Sequence, residues 1–448
     1  MRVRFSSFVA TICCLALGVP AAPREQKLQT CIELQRRGGQ TRTAARMSPV
    51  LGADLSFASN PSPLIEGWQD KQKGDVMAAA LKAAGVDSLR FLFGGLYSPR
   101  GPEATAEVKR ENKLDIGYAW FPVDDYVEFI ATHDFTTVVG VNVEEGPVVA
   151  SSVIKRFLDR GLRDKLVAVE LSNEPWLNPR PWLPEDYAAR AADIIEGLTP
   201  LGVPFALPLT VGSEKKTPTR LSDNEWNERM LKTISERVKL GSRSDIYGVL
   251  HLYSRGVSSE AIDAFNKQVS RSAPGMRYLI TEFNIRSSLQ GNPHLTNKYA
   301  LEFGRKVADV MRRREVVGLY THSVPSHSIV YWANGRRFAT VVGGRDDKLS
   351  GDAMSRGWHT TPTGRVYGLY SRLAWRGELL MYKAGGEQSY WAVRTPEGRQ
   401  IVTLLNAGGS SVKKRIDIAG KKVELRAPSH SIVCFDSNGS ELEKLILE

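Results

Sequence analysis

The chain has 448 residues, of which 42% are hydrophobic and 24% are charged. This composition is that of a globular protein, and it excludes a disordered chain, a collagen-like repeat and a small disulfide-rich scaffold. Lys and Arg outnumber Asp and Glu by 60 to 49, so the formal net charge is +11. A basic surface suits nucleic acid, an anionic membrane surface or an acidic polysaccharide, and charge alone does not choose among them.

The first residues predict export from the cell. Arg2 and Arg4 precede the apolar stretch 8–19, and the small residues Ala21 and Ala22 follow it. A positive segment, a short apolar segment and a small-residue cleavage site, in that order, are typical of a secretory signal. The apolar stretch is too short to anchor the chain in a bilayer. We therefore expect residues 1–22 to be removed, which leaves a secreted or extracytoplasmic protein with no integral membrane segment.

Removal of the signal would leave two cysteines. Cys13 and Cys14 lie within the signal, whereas Cys31 and Cys434 lie near opposite ends of the mature chain. An exported protein with two cysteines can form one bridge, and this bridge is the favoured prediction. It would place residues 23–48 beside the last strands of the chain. Two buried free thiols are the alternative.

From residue 49 onward, apolar runs alternate with amphipathic segments. Eight runs have the character of strands, namely 50–56, 88–93, 137–142, 166–172, 205–211, 246–252, 277–283 and 316–322. The segments between them have helical periodicity, namely 73–84, 123–132, 153–160, 187–198, 227–238, 260–269 and 299–313. This alternation predicts an α/β fold, a (β/α)8 TIM barrel over residues 49–370. A doubly wound open sheet is the alternative, although no glycine-rich nucleotide-binding motif supports it.

Residues 371–448 have a different texture, with short strands separated by turns rich in Gly, Pro and Ser. Six strands are predicted, at 378–382, 389–393, 401–405, 414–418, 421–425 and 431–435. They indicate a C-terminal all-β sandwich domain. Six strands leave a sheet edge exposed, and we expect residues 23–48 to join this domain and cover it.

Two glutamates stand where predicted barrel strands end. Glu174 lies in the segment Ser-Asn-Glu-Pro (172–175) after the fourth strand, and Glu282 lies in Thr-Glu-Phe-Asn (281–284) at the end of the seventh. The carboxyl ends of barrel strands form the active site, so the two side chains should face each other. Glycoside hydrolysis with retention needs one protonated and one ionised carboxyl group at such a site. Alone, each motif also has a structural interpretation, as a helix start or a strand end.

These motifs resemble those of the clan A retaining glycoside hydrolases, whose two glutamates lie on strands four and seven. Segment 172–175 is similar to their acid/base motif and segment 281–284 to their nucleophile motif. Segment 88–95 resembles the second strand of the arabinofuranosidase and heparanase branches, and residues 251–253 match the sixth-strand His-x-Tyr. Segments 361–367 and 427–433 resemble the passage into their β domain and its last strand. The resemblance covers most of the chain.

The resemblance implies a role for each site residue. Glu174 is the expected acid/base, and Glu282 is the expected nucleophile. Asn173 is expected to hydrogen-bond the 2-hydroxyl of the sugar. The remaining substrate-site candidates are Arg90 and Tyr253, which would keep Glu282 ionised, His251, which has a structural interpretation as well, and Trp176 and Trp332, whose indoles could stack on sugar rings.

The sequence predicts neither a metal site nor a cofactor, because the seven histidines form no pair with ligand spacing. The predicted function is a secreted retaining glycoside hydrolase that acts on an oligo- or polysaccharide. Positive charge favours an anionic glycan, as in the heparanase and β-glucuronidase branch. Basic candidates for holding its carboxylate follow the late strands: Lys215, Lys216, Arg255, Arg286, Arg336 and Arg337.

Other interpretations remain open at this point. Segment 281–284 is closer to the arabinofuranosidases and β-xylosidases, which implies neutral plant-type glycans. A non-catalytic carbohydrate-binding protein on a barrel scaffold is a hypothesis from another class, although such a protein has no chemical need for both glutamates. A nucleic-acid partner is not expected, because the secretory signal and the scattered basic residues disfavour it.

Overall fold

A computed structural model describes residues 49–55, 62–92, 123–177, 182–211, 221–253, 259–285, 296–322, 329–333, 357–418 and 421–447. Eight parallel strands form a closed barrel in chain order. They are β1 (Val50–Asp54), β2 (Ser88–Leu92), β3 (Thr136–Val141), β4 (Leu166–Leu171), β5 (Phe205–Pro208), β6 (Ile246–Leu252), β7 (Arg277–Phe283) and β8 (Val316–Thr321). Pairing of β1 with β8 closes the barrel, with Leu51 opposite Leu319. The predicted barrel is confirmed, and the open sheet is excluded.

Helices cover the outside of the barrel, as the amphipathic segments predicted. Those described up to residue 311 are α1 (Ser62–Gln69), α2 (Lys71–Ala83), α3 (Val123–His133), α4 (Gly146–Asp159), α5 (Pro184–Leu198), α6 (Asp223–Val238), α7 (Ser259–Val269) and α8 (Asn297–Met311). Side-chain caps fix several of their starts, since Ser222 accepts a hydrogen bond from the Glu225 amide and Thr296 accepts one from the Tyr299 amide. Across the described residues, no helix is both long and apolar enough to cross a membrane.

The barrel interior is a packed core below the carboxyl ends of the strands. It contains one side chain from each of several strands, namely Val138, Ala168, Ala206, Val249, Leu279 and Tyr320. Gly52 makes room for the Tyr320 ring, because a Cβ at position 52 would lie 2.3 Å from it. The Tyr320 hydroxyl lies 2.9 Å from Ser88 Oγ across the barrel. With the interior filled in this way, polar side chains at the strand ends are directed to the mouth.

The C-terminal β domain consists of two antiparallel sheets. Its strands are β11 (Glu378–Gly385), β12 (Gln388–Arg394), β13 (Gln400–Asn406), β14 (Val412–Ile418), β15 (Lys421–Ala427), β16 (Ser431–Asp436) and β17 (Glu441–Ile446). Five of them form a sheet in the order β11-β12-β13-β16-β17, and β14 pairs with β15. Ile416, Val423 and Leu425 of this hairpin pack in one core with Val402 and Val433 of the larger sheet. The arrangement is sandwich-like, as predicted.

One strand of this domain was not predicted. Residues 441–446 form β17, the edge strand beside β16. All six of its side chains are partly or fully exposed, which is a common property of edge strands and a weak signal in a sequence. The edge next to β16 is therefore covered by the chain's own end, whereas residues 23–48, which we expected there, lie outside the described part of the chain.

Cys434 is a buried free thiol in the structure. It lies on β16 between two paired strands, is 0% exposed, and has Thr403 Oγ1 3.4 Å from its sulfur. Burial raises the pKa of this thiol to about 12, which makes it unreactive. Cys31 lies outside the described residues, so the bridge between Cys31 and Cys434 stays a prediction, with two free thiols as its alternative.

A short helix, α9 (Pro362–Leu369), joins the barrel to the β domain after the small antiparallel pair β9 (Val330–Ala333) and β10 (Gly357–Thr360). Thr361 caps this helix through the Gly364 amide, 2.9 Å from its Oγ1. The Tyr367 hydroxyl lies 2.9 Å from the Gly52 carbonyl and 2.7 Å from the Leu319 carbonyl. The segment 361–367 therefore fixes the β-domain linker to the first and last strands of the barrel.

This junction leaves no room for a side chain at position 364. A Cβ there would lie 2.1 Å from the Ile329 carbonyl oxygen, which is backbone and has little freedom to move. We expect Gly364→Ala to lower the free energy of unfolding by about 1–3 kcal/mol, the usual range for overpacking. Urea unfolding measures it. Gly409→Ala is the control, because nothing lies within 4 Å of a Cβ at that position, and an equal loss in both variants would contradict the prediction.

Candidate active site

A network of buried charges lies at the carboxyl ends of the barrel strands, with Arg90 of β2 at its centre. Arg90 Nη1 donates to Oε1 of Glu282 at 2.6 Å and to Oδ1 of Asp54 at 3.2 Å. Its Nε and Nη2 donate to the two carboxylate oxygens of Glu170 at 2.8 and 2.5 Å, and Nη2 also donates to Oδ1 of Asn173 at 2.6 Å. The guanidinium is fully buried. Burial acts to lower the pKa of Arg90, but Glu170, Asp54 and Glu282 raise it well above its ordinary value.

The two predicted catalytic glutamates approach the same imidazole. Nδ1 of His251 lies 3.0 Å from Oε1 of Glu174 and 3.6 Å from Oε2 of Glu282. Nε2 of the same ring lies 3.1 Å from Oγ1 of Thr281, which fixes the ring from the other side. Both carboxylates therefore face one small volume at the barrel mouth. Glu282 is almost completely buried, whereas the Glu174 side chain is 22% exposed.

The backbone that presents Glu174 has unusual geometry. Ser172 and Glu174 both have positive φ, 69° and 41°, in the left-handed region that side chains rarely adopt. Such conformations are concentrated at functional sites, where surrounding contacts hold them in place. Here Ser172 Oγ accepts a hydrogen bond from the Val143 amide at 3.0 Å. The turn directs Asn173 towards Arg90 and Glu174 towards His251.

The two glutamates have opposite pKa shifts in the unliganded site. Burial raises the pKa of Glu282, and the positive charges of His251, Arg90 and His322 offset this only in part. Burial also acts to raise the pKa of Glu174, but the hydrogen bond with His251 and the charges of His251, Arg90 and His322 outweigh it, so that pKa is lowered. These directions are the reverse of those that the acid/base and nucleophile roles need during reaction. The role assignment therefore depends on position and contacts.

Two histidines at the mouth carry raised pKa values. Burial acts to lower the pKa of His251, but Glu282 and Glu174 raise it above the ordinary value. The same balance applies to His322, where Glu282 and Asp54 overcome the effect of burial. Nδ1 of His322 lies 2.6 Å from Oδ2 of Asp54 and 3.7 Å from Oε2 of Glu282. Each imidazole is thus placed to hold a proton next to a carboxylate.

Among the described residues, Asp54, Glu282 and His322 are the group whose potential ligand atoms come close enough together for a metal ion, within 4.8 Å of one another. Arg90 already donates to oxygens of both carboxylates. A second cation would have to compete with this fixed positive charge at close range. The three residues therefore belong to an ion network that already contains Arg90, and they do not form a favourable site for a metal cation.

The structure places some of the predicted substrate-site residues in the network around Arg90 and others elsewhere. Arg90, Asn173 and His251 lie in the network, and the predicted contact of Arg90 with Glu282 is present. The Tyr253 ring lies edge-on to His251 and His322, with centroids 6.4 and 5.4 Å away. Its predicted hydrogen bond to Glu282 stays a prediction.

Trp176 and Trp332 are the two tryptophans predicted to stack on sugar rings. Trp176 is 5% exposed and packs edge-on against Trp226, with centroids 5.2 Å apart. Its ring is therefore a core side chain, and the predicted stacking on a sugar is not supported. Trp332 lies on β9, opposite Trp358 of β10, but its side chain is outside the described part of the structure. The six basic candidates after the late strands also lie outside it.

Sequence reasoning missed four residues of the network, namely Asp54, Glu170, Thr281 and His322. Asp54 ends β1 and His322 follows β8 directly, so both obey the strand-end rule that identified Glu174 and Glu282. Applied to all eight strands, that rule would have found them. Glu170 gave a different signal, an acidic residue inside the apolar run of β4, where only a buried partner can hold it.

Comparison with known proteins extends the description of the fold. No family model and no curated protein sequence matches the chain. Several solved structures do match. An endo-β1,6-glucanase superposes with a TM-score of 0.55 at 11% identity, over 87% of this chain and 92% of the other. SrfJ from Salmonella typhimurium gives 0.56 at 12% identity, with the same coverage. A GH51 arabinofuranosidase from Xanthomonas axonopodis pv. citri gives 0.51 at 15%, over 90% and 95%.

These identities are low, so the likeness establishes the fold alone. The chain shares with these structures a fold in which an eight-stranded parallel barrel is followed by an antiparallel β domain. This agrees with the resemblance identified from the motifs.

Proposed function

We propose that the protein is a retaining glycoside hydrolase, with Glu174 as acid/base and Glu282 as nucleophile. The observation that carries the proposal is the convergence of both carboxylates on His251 Nδ1, at 3.0 and 3.6 Å, with Glu282 also held by Arg90. Double displacement requires two carboxyl groups close together in one site, one as acid/base and one as nucleophile. The clan A fold supports the same chemistry.

The reaction then has two steps. In the first, a carboxylate oxygen of Glu282 bonds to the anomeric carbon, the glycosidic C–O bond breaks, and Glu174 gives its proton to the leaving oxygen. In the second, Glu174 takes a proton from water, the resulting hydroxide attacks the anomeric carbon, and Glu282 leaves as a carboxylate. Arg90 stabilises that carboxylate in both steps. Asn173, fixed by Arg90, is placed to hydrogen-bond the sugar.

Substrate entry would move the pKa of Glu174 in the direction that its proposed role needs. A sugar that binds between the two glutamates displaces water from Glu174 and competes for its contact with His251. Loss of that hydrogen bond removes the main influence that lowers the pKa of Glu174, and burial then raises it. Glu282 keeps its contact with Arg90, whose positive charge favours the ionised carboxylate. Proton gain at Glu174 therefore accompanies binding.

For the substrate, we propose an anionic glycan, with a neutral arabinoside or xyloside as the second candidate. The net charge of +11 supports the first, and the Thr-Glu-Phe-Asn segment, through its likeness to arabinofuranosidases and xylosidases, supports the second. A buried uronate carboxylate needs cationic or N–H partners. The basic residues expected to supply them follow the barrel strands, in parts of the chain that the structure does not describe.

A substrate panel tests both levels of this proposal. Aryl β-glucuronide, β-xyloside, β-glucoside and α-arabinofuranoside are compared by kcat/KM at low and high salt. We expect hydrolysis of the glucuronide, with kcat/KM falling as salt rises because exposed charges are screened over about 8–10 Å near physiological ionic strength. Equal or better salt-insensitive activity on the neutral substrates would select the second candidate. Binding of sugars without turnover of any aryl glycoside would favour a non-catalytic carbohydrate-binding protein.

We also propose that the protein is exported. The support is the positive, apolar and small-residue order of residues 1–22, which lie outside the described residues. Expression of the full chain in a host with a secretion pathway, followed by N-terminal sequencing of the protein outside the cytoplasm, tests the proposal. A mature end near residue 23 is expected, and an uncleaved protein that stays in the cytoplasm would contradict it.

A further inference from the structure

The pair formed by Asp54 and His322 has no role in the two-step mechanism described above. Asp54 ends β1, His322 follows β8, and these two strands are neighbours at the point where the barrel closes. Nδ1 of His322 lies 2.6 Å from Oδ2 of Asp54 and 3.7 Å from Oε2 of Glu282. The Asn284 side chain donates to the His322 carbonyl at 2.8 Å, which ties β7 to the same position.

The charges of the network give this pair a function. The described cluster contains four carboxyl groups, on Asp54, Glu170, Glu174 and Glu282, and one permanent cation, Arg90. An excess of buried negative charge is strongly unfavourable. Protonation of His251 and His322 leaves one negative charge, and the proton on the catalytic acid then removes it. If both histidines were neutral, the carboxylates of Asp54 and Glu282 would have only Arg90, among the groups of this cluster, to balance their negative charges.

We propose that Asp54 and His322 form a positioning pair in which Asp54 holds the imidazole of His322 in its charged form beside Glu282 and so keeps the nucleophile ionised. The proposal rests on the assignment of Glu282 as nucleophile. His322 lies beside the Glu282 carboxylate. In this proposal it has no direct contact with the bond that breaks, and it acts through the charge state of Glu282. Asp54 acts one step further away, through the orientation and charge of His322.

Charged groups on several described elements act on His322. Asp54 on β1, Glu282 on β7 and Arg90 on β2 influence the pKa of His322. The charge of His322 in turn lowers the pKa of Glu174, which lies in the turn after β4. The Tyr253 ring packs edge-on against the imidazole from the end of β6, at 5.4 Å. Among the described carboxylates with printed contacts to His322, Asp54 and Glu282 lie within 4 Å of its Nδ1, so these two are the groups to change.

The first experiment needs no turnover. The imidazole resonances of the full-length protein are titrated by NMR in the wild type, Asp54→Asn and Glu282→Gln. His322 should titrate above its ordinary value of 6.5 in the wild type and lower in each variant, because each removes a negative charge beside it. His133, on the outer helix α3, serves as the control and should not move. A wild-type pKa of His322 at or below 6.5, or one that neither variant changes, would overturn the proposal.

The second experiment measures the ionisation of Glu282 through the pH dependence of kcat/KM. His322→Asn keeps a side-chain N–H for Asp54 and removes the charge, so the pKa of Glu282 should rise. The acid limb of the kcat/KM–pH profile should then move to higher pH by about 1 unit or more, since Glu282 must be ionised to attack. His322→Gln should do the same if His322→Asn folds poorly. His430→Asn, in the β domain, should leave the profile unchanged. A uniform loss of activity with an unmoved acid limb would mean a merely structural role.

The two experiments separate this proposal from the proposed function. If the protein hydrolyses no aryl glycoside but His322 responds to Asp54 and Glu282 as expected, the enzyme assignment fails and the charged pair stands. If the protein is an active glycosidase and His322 does not respond, the pair fails and the enzyme assignment stands.

Discussion

Replacing Glu282 by Gln should lower the turnover of an activated aryl glycoside by several orders of magnitude while the protein remains folded. The amide is nearly the size of the carboxylate, but it is uncharged and cannot form the glycosyl-enzyme by attack on the anomeric carbon. Initial rates and circular dichroism measure the two parts of this prediction. Glu185→Gln is the matched control, because Glu185 pairs with Arg229 on the outer surface of α5 and α6. A rate within a few-fold of wild type for Glu282→Gln would exclude it as nucleophile.

The loss at Glu174 should have a different chemical signature. With a dinitrophenyl leaving group, which needs no protonation, Glu174→Ala should keep fast glycosylation and stall at the glycosyl-enzyme, because no base activates water. Added azide should restore turnover and give a glycosyl azide of retained configuration. Glu282→Ala should form no covalent intermediate under the same conditions, which mass spectrometry of the intact protein shows. If azide accelerated neither variant, the distinction between the two roles would not hold.

The barrel was predictable because its signals are local. Each strand is an apolar run bounded by turn residues, and each helix shows helical periodicity of its apolar residues. Eight such strand–helix units in order are compatible with few folds. Glu174 and Glu282 were predictable for the same reason, since both stand directly at the end of a run. Their placement at the mouth follows from the rule that barrel sites form at the carboxyl ends of strands, whereas their expected roles come from the motif resemblance.

The partners within the site were harder to predict, because barrel closure and strand register decide them. Arg90 and Glu170 are far apart in the chain, and their bidentate pair depends on the register of β2 to β3 and of β3 to β4. The pairing of Asp54 with His322 depends on closure of β1 against β8. A sequence pattern shows that such groups lie on the same face but not which of them touch.

For Trp176, its position in the sequence predicted contact with a sugar, but its side chain is buried in the structure. It directly follows the Asn-Glu-Pro segment, where a sugar platform is plausible, but the chain turns there and the ring enters the core against Trp226. Trp176 lies in a 3-10 segment at 175–177, and the residue is 5% exposed. A tryptophan near a catalytic residue is therefore weak evidence of substrate contact until the direction of its side chain is known.

Arg90→Met should have the largest effect on stability of the substitutions considered. The guanidinium is fully buried and contacts Asp54, Glu170 and Glu282, so its removal leaves buried negative charges without their shared cation. Breaking a buried ion pair from one side typically destabilises a protein by about 3–5 kcal/mol. Activity should also be lost, because the nucleophile loses the cation that holds it ionised. Arg90→Lys keeps one charge but loses the two-pronged contact with Glu170, so an intermediate loss is expected.

The loss should also depend on pH, and its sign follows from Glu282. Arg90 acts to lower the pKa of Glu282, so its removal raises that pKa further above the unfolded value. A carboxyl group whose folded pKa is raised contributes stability below its unfolded pKa and loses that contribution as pH rises through the folded value. The stability difference between wild type and Arg90→Met should therefore be larger near pH 8 than at about pH 5, as urea unfolding at the two values measures. Arg229→Met, which removes a surface pair with Glu185, should change stability little at either pH. A difference for Arg90→Met that is small, or that shrinks as pH rises, would mean that the buried carboxyl groups are already neutral and that Arg90 is not what keeps the nucleophile charged.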